Sequence, residues 1–330
     1  MANCIRCGRQ LPGFSFGKKI CQWCRQHEAA QRGELADDAP QPVMRNPWAR
    51  RAESTFSLTQ IFFGINVAVF LGMVIGNGGN PLQDFPGMEL VRWEANFGAL
   101  TISGEWWRLL TCVFVHGGLL HIAFNMWCLW DLGALCESLY GRWTFGVLYI
   151  ICGLGASLAS IVWNVQVLSV GASGAIFGLA GALIAAFKLG EFSVPRSALS
   201  GTLRSLFIFV AFNLAWGLLP NLFGSDGVTD NAAHVGGLLT GLLLGALIAL
   251  IAPQRNRAPR RAAIFFCMAL ALAGTAVQLA HHYNVPLRLG RVNFESSANV
   301  PKDSPAQKFG TRYSAVATSF STPLQRAKPD

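Results

Sequence analysis

Long apolar segments constrain this chain more than any other feature of its sequence. A helix needs about 20 predominantly apolar residues to cross a bilayer, because its backbone groups must hydrogen-bond internally where water is absent. Seven segments fit this requirement, at residues 58–76, 109–135, 144–163, 173–187, 203–219, 232–251 and 262–281. The fourth and fifth are short for a span. The pattern predicts an all-α, multi-pass membrane protein.

Charged residues are scarce in the region of these segments. Of the 43 Lys, Arg, Asp and Glu residues, 14 lie in residues 1–57 and 10 in residues 281–330, which leaves 19 for the 223 residues between. The charged fraction of the whole chain is 13%, against roughly 25% in an ordinary soluble domain. The composition therefore excludes a soluble enzyme and, despite the net charge of +9, a nucleic-acid binder as the main identity.

The positions of the basic residues predict the orientation of the spans, because Lys and Arg collect in cytoplasmic loops. Four regions that would share one side of the membrane carry Arg45, Arg50, Arg51, Arg142, Lys188, Arg196, Arg204, Arg255, Arg257, Arg260 and Arg261. The opposite loops carry only Arg92 and Arg108. We therefore expect a cytoplasmic N-terminus. Seven spans then place the tail outside, although it carries seven basic and three acidic residues; a seventh segment lying flat would leave it in the cytoplasm.

The fourth predicted span begins with a serine between glycines, Gly171-Ala172-Ser173-Gly174. This places Ser173 at a helix N-terminus, where free N–H groups and the positive end of the helix dipole favour a developing oxyanion. Ser173 is thus a candidate nucleophile. Taken alone, the pattern is more typical of a serine that caps a helix beside packing glycines.

A serine needs a base to become a nucleophile, and the sixth span contains His234. Glycines that recur every four residues after it predict a close helix contact with the glycines of the fourth span; the two sets are Gly237, Gly241 and Gly245, and Gly174, Gly178 and Gly181. This contact would bring His234 to Ser173. For the histidine alone, a hydrogen bond to a backbone carbonyl is the alternative.

The second span adds His121 and Asn125, which are four residues apart and so project from one helical face. Both side chains could donate hydrogen bonds to a tetrahedral intermediate. Metal binding by the histidines and a polar contact between helices are the alternatives. We assign no acidic residue to the dyad. Asp131 and Glu137 are expected to reach the cytoplasmic interface or to pair with Arg142.

These motifs, together with Trp107-Arg108 in the long first loop, resemble the rhomboid family of intramembrane serine proteases over roughly residues 58–252. The resemblance implies a six-helix bundle, to which this chain adds a seventh C-terminal span. It implies Ser173 as nucleophile, His234 as general base and then acid, and His121 and Asn125 as oxyanion donors. No cofactor for catalysis is implied, and the substrates would be single-span membrane proteins. Phe177, where some members have tyrosine, would stack on the histidine.

The N-terminal segment contains two Cys-x-x-Cys pairs separated by thirteen residues: Cys4, Cys7, Cys21 and Cys24. Four thiolates at this spacing suit tetrahedral zinc, which would supply folding energy that so short a segment lacks. The segment resembles a zinc ribbon with a structural or partner-binding role in the cytoplasm. A redox dithiol and an iron centre are the alternatives, and His27 could compete as a ligand.

The sequence therefore divides into a zinc-ribbon-like module (1–32), a linker (33–57), a protease core of six spans (58–252), a basic loop with a seventh span (253–281) and a disordered tail (282–330). We expect a multi-pass protein of a bacterial inner or plasma membrane, with its active site opening to the outer face. Its partners would be the bilayer, its substrates and a cytoplasmic partner of the zinc module. A catalytically silent client binder and a channel or transporter are the competing functions.

Overall fold

The computed structural model describes residues 57–189, 196–222, 229–251 and 258–283, together with residues 4–7, 20, 21, 24 and 28. Almost all of the predicted linker, nearly all of the predicted tail and most of the predicted zinc module lie outside the described residues. The domain boundaries drawn from the sequence therefore stay predictions.

The described part of the chain is mostly helical. In chain order the helices are α1 (Leu58–Gly76), α2 (Gly87–Arg92), α3 (Gly98–Ile102), α4 (Arg108–Thr111), α5 (Leu119–Cys128), α6 (Ala134–Tyr140), α7 (Arg142–Trp163), α8 (Ser173–Leu189), α9 (Arg196–Leu222), α10 (Asn231–Ile251) and α11 (Ala258–His282). A 3-10 turn follows α4 at Cys112–Phe114, and a π-helical turn at Leu129–Gly133 joins α5 to α6. Two short strands, β1 (Asn96–Phe97) and β2 (Leu168–Ser169), pair antiparallel.

Five of these helical stretches are long and apolar enough to cross a membrane: Leu58–Gly76, Leu119–Tyr140, Arg142–Trp163, Asn231–Ile251 and Ala258–His282. Ser173–Leu189 and Gly201–Gly217 are shorter apolar helices at the positions of the fourth and fifth predicted spans. The predicted all-α, multi-pass fold is confirmed.

The start of the second span was predicted ten residues too early. The prediction relied on the apolar residues that begin at Leu109. However, the backbone is extended at Val115, where ψ is 137°. It is also extended at Gly118, where φ and ψ are both 176°. Two extended residues break a helix, because its hydrogen bonds need helical dihedrals in sequence. The span therefore begins at Leu119, and the residues before it belong to the first loop.

The centre of the bundle is α8, which is buried on all sides from Gly174 to Phe187. It lies directly against α10, as the glycine spacing predicted. A Cβ on Gly237 would collide with the carbonyl of Gly174, and a Cβ on Gly241 would collide with the carbonyl of Gly178. The two backbones touch, and this contact is possible only because neither helix carries a side chain there.

Glu137 caps the start of α1, and in the described part of the chain it does not pair with Arg142. Its carboxylate accepts hydrogen bonds from the N–H of Leu58 at 3.0 Å and from the N–H and hydroxyl of Thr59 at 3.0 and 2.7 Å. Carboxylates stabilise helix N-termini because the first N–H groups lack partners within the helix. Glu137 thus fastens the start of α1 to the end of α6.

Candidate active site

The side chains of Ser173 and His234 meet where α8 and α10 begin. Ser173 Oγ lies 2.9 Å from His234 Nε2, across 61 residues of sequence. Ser173 is the first residue of α8, so its own N–H and those that follow are free of helical partners. The glycine contact between the two helices sets this distance, because it brings the backbones together directly below the pair.

The His234 imidazole is held against an aromatic ring of α8. Phe177, one turn after Ser173, stacks on it with ring centroids 4.3 Å apart and an angle of 2° between the planes. The imidazole is buried, with 7% of the residue exposed. The stacking predicted for Phe177 is confirmed, and it restrains the imidazole plane while leaving the ring edge free to contact Ser173.

His121 and Asn125 lie beside the loop that leads into α8. The N–H of Gly117 donates to His121 Nδ1 at 3.3 Å, so the Nε2 nitrogen carries the proton in the neutral ring. That nitrogen lies against Gly171: a Cβ on Gly171 would be 2.6 Å from His121 Nε2 and 3.7 Å from Asn125 Nδ2. The φ of Gly171 is +108°, a conformation that glycine adopts without strain. Two N–H donors therefore face the backbone just before Ser173.

A buried arginine holds the first loop in place beside this pair. Arg108 is 2% exposed. It donates to the carbonyl oxygens of Val91 and Ala95, both at 2.9 Å, and pairs with Glu105 at 2.6 Å and Glu94 at 3.1 Å. Its contacts make Arg108 the centre of a buried polar network.

Two contacts connect this loop to the segment that precedes Ser173. Asn96 in β1 pairs with Ser169 in β2. The N–H of Gly171 donates to the carbonyl of Cys112 at 2.9 Å. The loop therefore determines where the chain enters α8.

Two carboxylates near the site were missed by the sequence reasoning. Asp84 lies against Gly118, whose Cβ would collide with its Oδ1 oxygen. Asp230 lies one turn before His234, and its backbone carbonyl accepts the His234 N–H at 3.2 Å. Asp230 is close enough to act electrostatically on His234, although its carboxylate makes no direct hydrogen bond to the dyad among the described residues. The four-residue spacing between Asp230 and His234 could have revealed it.

A further histidine, His116, lies in the turn before α5. The centroid of its ring is 5.2 Å from that of His121. Burial lowers the pKa of His116 to about 3, so its ring is neutral at physiological pH. In the described part of the chain, the four N-terminal cysteines are the only group of three or more candidate metal ligands. Metal binding by the histidines therefore has no support.

The four N-terminal cysteines are brought together by the chain, with all four sulfur atoms within 4.8 Å of one another. The Sγ atoms of Cys4 and Cys24 are 3.9 Å apart, and those of Cys7 and Cys21 are 3.7 Å apart. Zinc–sulfur bonds of about 2.3 Å in a tetrahedron require sulfurs about 3.8 Å apart. The cluster can bind a metal ion.

A hydrogen bond from the backbone favours the thiolate form of Cys4. The N–H of Cys21 donates to Cys4 Sγ at 3.2 Å. This hydrogen bond is the main cause that lowers the pKa of Cys4 to about 6, so the thiolate, which is the form that binds metals, predominates at neutral pH.

Comparison with known proteins places this site in a recognised domain. The Rhomboid domain family matches residues 103–251. Rhomboid protease GluP of Bacillus subtilis (strain 168) is 32% identical over 243 residues, which cover 72% of this chain and 44% of that protein. Rhomboid protease AarA of Providencia stuartii is 30% identical over 239 residues, which cover 64% of this chain and 81% of that protein.

A plant protein is also similar over the core. RHOMBOID-like protein 1 of Arabidopsis thaliana is 41% identical over 162 residues, which cover 48% of this chain and 39% of that protein. The chain thus spans less than half the length of this relative and of GluP, and most of the length of AarA.

Proposed function

The chain belongs to the rhomboid family, and we propose that it is an intramembrane serine endopeptidase that cleaves single-span membrane proteins within or near their transmembrane segment. The observation that carries the proposal is the 2.9 Å contact between Ser173 Oγ and His234 Nε2 inside a bundle of apolar helices. A hydroxyl that donates to an imidazole at this distance is poised to lose its proton as it attacks a carbonyl.

In the proposed reaction Ser173 Oγ attacks the carbonyl carbon of the scissile peptide bond, and its proton passes to His234 Nε2. The resulting oxyanion accepts hydrogen bonds from His121 Nε2 and Asn125 Nδ2. His234 then gives the proton to the leaving amide nitrogen, which leaves an acyl-enzyme on Ser173. Water hydrolyses this ester with His234 as the base, and the free serine is restored.

The proposal is tested by cleavage of a single-span substrate by the full chain in liposomes. The wild type is expected to cleave, and Ser173→Ala and His234→Ala are each expected to lose about 1,000-fold or more of the rate. Ser138→Ala is the matched control, because Ser138 donates only to the carbonyl of Leu135 in α6. Substrate binding without cleavage by the wild type would contradict the proposal and indicate a silent client binder.

We also infer that the N-terminal cysteines hold one structural zinc ion. The convergence of their four sulfurs supports this, with two pairs at 3.9 and 3.7 Å. Purified protein is expected to contain about one equivalent of zinc, against none in Cys4→Ser. Iron in the protein, or an oxidised dithiol with no metal, would contradict zinc. We also propose that this module binds a partner in the cytoplasm.

We further propose that the N-terminus is cytoplasmic and that the active site opens to the outer face of a bacterial inner or plasma membrane. The distribution of Lys and Arg supports this orientation. Alkaline phosphatase, which is active only outside the cytoplasm, is expected to be inactive when fused after residue 57 and active when fused after residue 166. The reverse pattern would contradict the orientation.

A further inference from the structure

His234 has a second ring nitrogen that the proposed mechanism leaves without a role. To accept the proton of Ser173 at Nε2, the neutral imidazole must carry its own proton on Nδ1. His234 Nδ1 is buried and has no hydrogen-bond partner among the described residues. A buried N–H without an acceptor is costly, so this tautomer needs an acceptor.

We propose that Asp230 is a positioning residue for His234: its carboxylate takes the Nδ1–H of the imidazole through one bridging water molecule. This inference rests on the proposed function. Asp230 Oδ2 is the complementary group, since it is a buried acceptor that likewise has no hydrogen-bond partner in the described part of the chain.

The start of α10 brings the two side chains to the same place. Asp230 Oδ1 accepts the N–H of Ala233 at 3.0 Å, which caps the helix and fixes the carboxylate. The Asp230 carbonyl accepts the His234 N–H at 3.2 Å, so the two residues are one turn apart. Because helical side chains lean toward the N-terminus, the imidazole lies over the turn that contains Asp230.

Asp230 is close enough to act electrostatically on both His234 and Cys112. Burial raises the pKa of Cys112 to about 12, so this thiol stays neutral. Cys112 Sγ lies 3.2 Å from Ser157 Oγ, so a hydroxyl group also lies next to this thiol. Within the described residues, Asp230 forms no ion pair, so no cation competes with the imidazole for its carboxylate.

One water molecule between Oδ2 and Nδ1 would satisfy both buried atoms, because it can donate to the carboxylate and accept from the imidazole. The carboxylate would then hold the imidazole in the tautomer that leaves Nε2 free, and would stabilise the imidazolium formed when Ser173 gives up its proton. No proton passes from the imidazole to Asp230 in this step, so its role is to position the ring.

The test separates the charge of Asp230 from its capping role. Asparagine and serine cap helices about as well as aspartate, whereas glutamate caps poorly but keeps the charge. Asp230→Asn and Asp230→Ser are therefore expected to keep the thermal unfolding midpoint and to lose about 10- to 100-fold in kcat, with little change in KM. Asp230→Glu is expected to unfold at a lower temperature and yet to be more active than Asp230→Asn.

The control is Glu89→Gln, which removes a carboxylate that pairs with Arg92 at the surface of the first loop and should leave kcat unchanged. Wild type and Ser173→Ala are measured together with the variants, so that a wild type without cleavage would reject the proposed function itself. With an active wild type, a kcat of Asp230→Asn equal to the wild type would overturn the role of Asp230. A kcat that follows the unfolding midpoint across all variants would also overturn it and reduce Asp230 to a helix cap.

Discussion

The two halves of the candidate site are held by different kinds of contact. The half that carries Ser173 and His234 depends on backbones in direct contact, at Gly174 against Gly237 and farther down the same seam. The half that carries His121 and Asn125 depends on the first loop, which is held by hydrogen bonds to the buried Arg108. In the first half the helix backbones touch, so an added side chain would not fit. In the second half the buried charges of Arg108 and Glu105 stabilise the loop only while they remain paired.

This difference indicates how such a site can exist inside a membrane. Glycine contacts need no polar group, so they are suited to the apolar interior of the bundle. Hydrogen-bonded loops are tolerated at membrane depth only where protein surrounds them, and the loop around Arg108 meets this condition. Each half can be disrupted by its own type of substitution.

The largest effect on stability is expected from Arg108→Ala. It would remove the cation that pairs with the buried carboxylate of Glu105, and breaking a buried pair in this way costs about 3 to 5 kcal/mol. Unfolding in detergent measures the loss. Arg92→Ala is the control, because the exposed Arg92–Glu89 pair should contribute no more than about 0.5 kcal/mol. Equal losses in both variants would refute the difference between buried and exposed arginines.

The next effect concerns catalysis. Asn125→Ala is expected to lower kcat about 100- to 1,000-fold, as for the loss of one oxyanion donor. Asn213→Ala removes an equivalent hydrogen bond, from Asn213 to the carbonyl four residues earlier in α9, and should leave kcat unchanged. If the two variants lose activity equally, the role of Asn125 is only to support its helix.

An intermediate effect is expected in the glycine half. Gly241→Ala would force its Cβ into the carbonyl of Gly178, and overpacking of this kind costs about 1 to 3 kcal/mol. The rate of cleavage should fall with it, because the contact sets the distance between Ser173 and His234. A Cβ on Gly274 in α11 meets nothing within 4 Å, so Gly274→Ala should stabilise the protein by about 0.5 to 1 kcal/mol. An unaffected Gly241→Ala would contradict the direct backbone contact.

The smallest effect is expected from Phe177→Leu, which keeps an apolar side chain and removes the ring that stacks on His234. Aromatic stacking contributes about 0.5 to 1.5 kcal/mol, so kcat should fall about 2- to 10-fold. Phe124→Leu replaces an exposed ring on α5 and should leave kcat unchanged. A loss above about 100-fold in Phe177→Leu would mean that the ring does more than orient the imidazole.

The same comparison explains what the sequence could predict. Apolar length predicted α1, α7 and α10 to within two residues at either end, and four-residue glycine spacing predicted the contact of α8 with α10. These patterns are local, so they can be read along the chain.

The loop half could not be predicted in this way. Two partners of Arg108 are main-chain carbonyls 13 and 17 residues away, and β1 pairs with a strand more than 70 residues later. Backbone carbonyls are present at every residue, so no sequence pattern marks the ones that Arg108 contacts. No role is predicted for Asp230 from the sequence, although its four-residue spacing from His234 places the two residues one helical turn apart.

The most direct test of the central claim, that Ser173 is activated by His234, is covalent labelling with a serine-directed fluorophosphonate followed by peptide mass spectrometry. It needs no knowledge of the substrate. We expect label on Ser173 in the wild type, none at this position in Ser173→Ala, and labelling slowed about 1,000-fold or more in His234→Ala. Label on another serine, or equal labelling of Ser173 with and without His234, would contradict the account.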